Sequence, residues 1–73
     1  MIEVRLFATF REGRDKKLFL DAEKFSTAGG ILENIGIPPG DVSILLINGQ
    51  HSKPHSPVRA GDVVALFPPV GGG

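Results

Sequence analysis

The feature that most limits what this chain can fold into is its ending, Phe67-Pro68-Pro69-Val70-Gly71-Gly72-Gly73. A hydrophobic run enters two prolines, whose fixed φ and missing amide hydrogen stop a strand and aim the chain away from the body. The three glycines that follow bury nothing and order only at a large entropic cost. The packed part of the chain is therefore expected to finish at Phe67, leaving 68–73 as a flexible tail. Six residues beyond Phe67 reach at most about 20 Å when extended. A tip without β-carbons passes where no other residue fits. The ending thus points to insertion into another protein, with the α-carboxylate of Gly73 as the working group. A frayed terminus is the plainer alternative, but prolines coupled to a pure glycine tip favour insertion.

The residues before this tail divide into one helical segment and several extended ones. Ile2 to Arg11 alternates, with Ile2, Val4, Leu6, Ala8 and Phe10 on one face and Glu3, Arg5, Phe7, Thr9 and Arg11 on the other. That is the period of a half-buried strand. Glu12-Gly13-Arg14-Asp15 is a turn, and Lys16 to Leu20 resumes an extended run, so these segments form a hairpin. A short helix follows. Ser26 or Thr27 caps it, and Ala28, Ile31, Leu32 and Ile35 form its apolar side. Gly36 suits its C-terminal end, and Pro38-Pro39 prevent continuation. Gly29-Gly30 in its first turn costs roughly 1 kcal/mol per residue relative to alanine and predicts a frayed start.

Ser43 to Ile47 is a further strand, ended by the hairpin signal Asn48-Gly49. Gln50 to Pro57 contains two prolines and allows only a short edge strand. Val63 to Phe67 is the last strand. Its register places Val64 and Leu66 under the helix and Val63, Ala65 and Phe67 on the open face. With the first and last strands paired at the centre, Phe7 and Phe67 share that open face beside the root of the tail. Contiguous apolar residues there mark a docking surface.

The 73 residues make a single domain, with no linker or repeat dividing it. Eight basic and eight acidic residues cancel, which leaves no footprint for nucleic acid or an anionic membrane. The chain has no cysteine, hence no disulfide framework and no thiol nucleophile. It has no signal-peptide pattern and no run long enough to span a bilayer, so a cytoplasmic location is expected. His51 and His55 are four apart, but Pro54 between them rules out a shared helical face, and no metal site is expected. Arg11, Arg14, Lys16 and Lys17, with Glu12 and Asp15 among them, read as a solvated hairpin tip. No nucleophile elbow or phosphate-cradling loop is present. The terminal carboxylate is left as the reactive group. It is a poor acyl donor until ATP converts it to an acyl-adenylate, after which sulfur or an amine can displace the adenylate. Both routes need an enzyme that supplies ATP, magnesium and catalytic groups. This chain is therefore expected not to be catalytic alone and to bind no cofactor of its own.

The ending, preceded by Ala60-Gly61-Asp62-Val63-Val64, resembles that of the MoaD/ThiS sulfur carriers, and of molybdopterin synthase small subunits in particular. Val4-Arg5-Leu6-Phe7-Ala8 with Arg11-Glu12 resembles the first strand of that family, and Ile47-Asn48-Gly49 its central hairpin. The resemblance implies an α+β, β-grasp (ubiquitin-like) fold: a mixed four- to five-stranded sheet with one helix on one face. It implies adenylation of Gly73 by a ubiquitin-activating-type adenylyltransferase (MoeB/ThiF-like) and conversion to a thiocarboxylate. The sulfur then passes to its acceptor inside a molybdopterin synthase large subunit (MoaE-like) or a thiazole synthase. By position, Phe7, Arg11 and Phe67 match residues that face these partners, with Pro68, Pro69 and Val70 as spacer and Gly71 and Gly72 as the slender stem. Gly71 stands where molybdopterin carriers usually have serine or threonine. The thiamine branch and a ubiquitin-like modifier that conjugates to lysines are the alternatives.

Overall fold

The alternation that begins at Ile2 becomes strand β1 (Ile2–Leu6), which buries Ile2, Val4 and Leu6 completely. The computed structural model describes residues 1–69. β1 is shorter than the pattern predicts. Ala8 takes a left-handed φ of 53° and starts a 3-10 turn over Ala8–Arg11. Phe7 is the last residue with a neighbouring strand to bond, its N–H donating to the Leu66 carbonyl at 3.2 Å. Phe10 still reaches the core through the turn, whereas Ala8 is exposed instead of facing inward.

The hairpin forms as expected, with β2 (Lys17–Leu20) antiparallel to β1. The helix α1 (Ala28–Ile35) has Thr27 as its cap, the hydroxyl accepting from the Gly30 N–H at 3.3 Å. Gly36 ends it at φ 80°, the left-handed conformation that glycine adopts without strain. The start of α1 is held rather than frayed. The Ala28 N–H donates to the Ser56 carbonyl at 3.0 Å and the Gly29 N–H to the Pro54 carbonyl at 2.7 Å. Two donors that a helix leaves without internal partners are thereby satisfied.

That second bond also accounts for one of the two glycines. A β-carbon on Gly29 would lie 3.1 Å from the Pro54 carbonyl oxygen, whereas one on Gly30 would make ordinary contact with Phe25 at 3.7 Å. The close approach is to the loop before β5, not to the sheet. Gly30→Ala is expected to raise stability by up to about 1 kcal/mol. Gly29→Ala should cost about 1 kcal/mol despite the same gain in helix propensity. Chemical denaturation of the two variants reads the difference directly. An equal gain from both would mean that the loop does not hold the helix start.

The remaining strands are β3 (Ile44–Ile47), β4 (Gln50–His51) and β5 (Val63–Phe67). Asn48 and Gly49 both have positive φ, 53° and 81°, as a type I′ turn requires. The Asn48 side chain also ties this hairpin to the last strand. Its Nδ2 donates to Asp62 Oδ1 and its Oδ1 accepts from the Val63 N–H, both at 2.9 Å.

The strand order is β2-β1-β5-β3-β4, with β1 and β5 parallel at the centre and the other pairs antiparallel. Val64 and Leu66 of β5 join Ile2, Val4, Leu6 and Leu45 beneath Ala28, Ile31 and Leu32 of α1. This is the mixed sheet with one helix on one face that the resemblance implies, with five strands. The chain therefore leaves the sheet at the end of a central strand, directly beside the end of β1.

Candidate functional site

The outer face of β5 carries Val63, Ala65 and Phe67, each half-buried, because Val64 and Leu66 take the inner positions. Phe7 follows the last residue of β1. Its ring stacks on that of Phe67, with centroids 4.3 Å apart and planes within 10°. Aromatic pairs of this kind contribute about 0.5–1.5 kcal/mol beyond the area they bury. The guanidinium of Arg11 lies 5.3 Å from the centroid of the Phe7 ring, and its Nε donates to the Leu6 carbonyl at 2.8 Å. The turn over Ala8–Arg11 thus folds Arg11 back onto the aromatic pair. Phe7, Arg11 and Phe67, far apart in sequence, meet where the chain departs.

Pro68 is half-buried and Pro69 exposed at the same place. They line an apolar groove of about 380 Å³ with Ala8, Thr9, Ile44 and Phe67. Val70, Gly71, Gly72 and Gly73, the remainder of the expected stem and its reactive end, lie outside the described residues. Ile44 pairs across from Phe67 and is 37% exposed. Sequence reasoning did not single out Ile44 as part of this face. The signal was available, since a strand that turns Leu45 inward must turn Ile44 outward.

The basic residues of the first turn differ from the expected solvated tip in one respect. Arg11 and Arg14 engage backbone, Arg14 Nε donating to the Ile35 carbonyl at the end of α1 at 3.4 Å. Lys16 and Lys17 are exposed. On the same outer face Glu3 pairs with Arg5. The Arg5 hydrogen bond holds the Glu3 carboxyl below the usual carboxylate range. His51 and His55 are both exposed. Among the described residues no group of three or more metal-ligating side chains comes together, and no helix is long and apolar enough to cross a membrane.

What this arrangement can do chemically is limited. Its described residues present an aromatic and apolar surface at the point where the chain leaves β5.

The ThiS family model matches residues 4–73. Among solved structures, SAMP1 from Haloferax volcanii is 31% identical with a TM-score of 0.74, over 99% of this chain and 98% of that one. A putative molybdopterin converting factor, subunit 1, from Pyrococcus furiosus is 26% identical with a TM-score of 0.68, over 94% of this chain and 97% of that one. The complex of subunits 1 and 2 of molybdopterin-converting factor from Helicobacter pylori is matched at 23% identity and a TM-score of 0.66, over 99% of this chain and 97% of that one. At that identity the likeness shows the fold alone. No curated protein matches the sequence.

Proposed function

This chain belongs to the ThiS family, and from that premise we propose that it carries sulfur as a thiocarboxylate on Gly73 and donates it in molybdopterin synthesis. The observation that supports this reading is the Phe7–Phe67 stack at the exit of the central strand. It gives a partner enzyme a rigid, apolar landmark at a fixed distance along the chain from the carboxylate. The body supplies the address and the tail supplies the acyl group.

The chemistry is written in three steps. The Gly73 carboxylate attacks the α-phosphorus of ATP on an adenylyltransferase of the MoeB/ThiF kind, releasing pyrophosphate and leaving an acyl-adenylate. The terminal sulfur of a persulfide attacks the acyl carbon and AMP departs, leaving an acyl disulfide. A second thiol then attacks the donor protein's sulfur of that disulfide, forming a new disulfide with it and leaving the thiocarboxylate on Gly73. A large subunit of the MoaE kind would receive the tail and bring the thiocarboxylate to its acceptor. Substitution of Gly71 for a hydroxyl residue leaves this chemistry untouched, because no step uses a side chain there.

A second reading is favoured by the likeness to Haloferax volcanii SAMP1, a small archaeal modifier protein. In it a lysine amine displaces AMP and Gly73 becomes an isopeptide. Intact-mass analysis of the chain from its native host separates the two. A mass gain equal to one sulfur in place of one oxygen, located at Gly73, is expected for the carrier. A ladder of heavier conjugates ending in Gly73 amides, without the sulfur species, would replace it by the modifier reading. If the carrier serves molybdopterin, deleting its gene abolishes molybdoenzyme activity. A requirement for thiamine instead would move it to the thiazole branch.

A further inference from the structure

We propose that Arg5, Lys16 and Lys17, with Arg11, form a cationic rim that receives a carboxylate-rich strip on the protein partner and sets how fast that partner docks. The proposal rests on the reading above, in which a protein grips the root of the tail. Arg5, Lys16 and Lys17 lie outside the aromatic landmark, whereas Arg11 already packs on it.

The zero net charge conceals a segregation. Five of the eight cations, Arg5, Arg11, Arg14, Lys16 and Lys17, fall in the first hairpin, against three of the eight carboxylates, Glu3, Glu12 and Asp15. The strand register pairs Arg5 with Lys17 across β1 and β2, and Arg5 with Ala65 across β1 and β5. Alternation therefore sets Arg5 and Lys17 on the outer face, in line with the apolar residues of β5. Arg5, Leu6, Phe7, Arg11, Lys16 and Lys17 line a notch of about 280 Å³. Phe7 is shared between this notch and the stacked pair, so the two surfaces are continuous. Among the outward-facing strand residues the one carboxylate is Glu3, and Arg5 already engages it. Asp15 lines a separate cavity on the helix side, with Leu18 and Ile35.

The geometry favours one class of occupant. A nucleic acid bound without sequence preference stacks its bases on aromatic rings. The Phe7 ring is already engaged by Phe67 and Arg11. Phe19, 61% exposed, stands across from Glu3, whose charge repels phosphate. A single small anion would find side-chain cations on long stems, with the Nε of Arg5 and of Arg11 already committed. An apolar centre bordered by a charged rim is the anatomy of a protein interface. Rim charges of this kind steer encounter and select among partners more than they add affinity.

Two measurements on the full-length chain test the rim. In the first, hexaglutamate is titrated against isotope-labelled protein at low salt and read by amide chemical shifts. Shifts concentrated at Arg5, Arg11, Lys16 and Lys17, and lost in Lys16→Glu/Lys17→Glu, are expected. Equal shifts at Lys24, Lys53 and Arg59, or none, would overturn the proposal. Tighter binding of a single-stranded oligonucleotide of matched charge, with shifts at Phe19, would overturn it in favour of nucleic acid. The second measurement is association with the host's adenylating enzyme. Lys16→Glu/Lys17→Glu should slow association roughly tenfold or more and flatten its salt dependence, with dissociation unchanged. The charge-matched Lys24→Glu/Lys53→Glu should not. Equal effects from the two pairs would assign the result to net charge and overturn the rim. Should that enzyme fail to adenylate the wild-type chain, the sulfur-carrier reading falls, and the hexaglutamate titration alone decides the rim.

Discussion

Removal of Gly72 and Gly73 is expected to abolish adenylation while changing folding stability by no more than about 0.5 kcal/mol. The packed body is taken to end with β5. β5 ends at Phe67, its last paired residue, and among the described residues the core cluster contains none beyond Leu66. The acyl group, by contrast, has no substitute. A truncation that ends in Gly71 still has an α-carboxylate, but the carboxylate is then set back by two residues, about 7 Å of extended chain. Near-attack geometry tolerates a displacement of about 1 Å only at a large loss of rate. The measurements are thermal or chemical denaturation beside pyrophosphate release with the host's activating enzyme. An unfolded truncation would show that the tail belongs to the core.

The second large effect contrasts two neighbouring residues. Leu66 is fully buried and Phe67, next in the chain, lies on the outer face. Leu66→Ala should cost about 2–5 kcal/mol, by lost transfer energy and an unfilled cavity. A domain of this size has about 4–11 kcal/mol in total, so a large part of its stability would go. Phe67→Glu should cost only about 1 kcal/mol of stability, chiefly the stack on Phe7. It should nevertheless weaken the partner complex by about 2 kcal/mol or more, as a buried aromatic anchor does. Urea denaturation and a binding isotherm on both variants give the four numbers. If Phe67→Glu unfolds the protein while Leu66→Ala does not, the faces of β5 are assigned backwards.

Both effects depend on a register that could be read from the chain before its structure was known. A polar Asp62 just before Val63–Phe67 sets the parity of that strand, and the period of two does the rest. The same rule put Ile2, Val4 and Leu6 inside and let Phe7 meet Phe67. Asn48-Gly49 and Gly36 were legible for a different reason, because each needs a backbone conformation that few residues adopt cheaply.

The parts that escaped sequence reading are those set by contacts distant in the chain. Nothing local tells Ala8 to take a positive φ; the end of strand pairing beside β5 does. Nothing local explains Gly29, because its reason is the carbonyl of Pro54, which approaches from a loop 25 positions on. Helix propensity alone therefore predicted fraying where the fold supplies two hydrogen-bond acceptors. Net charge carries no positional information. The cluster Arg11, Arg14, Lys16 and Lys17 is visible in the sequence, but only the sheet register brings Arg5 and Lys17 into one row.

The central claim is that the carboxylate of Gly73 is the reacting group. Total synthesis allows the terminal carboxylate to be replaced by a carboxamide with every other atom unchanged. Both forms would be mixed with ATP, magnesium and the host's adenylating enzyme, and pyrophosphate release followed. The carboxylate form is expected to turn over and the carboxamide form to bind equally well without releasing any. Equal pyrophosphate release from the two would contradict the account, since the reacting atom would then have to lie elsewhere.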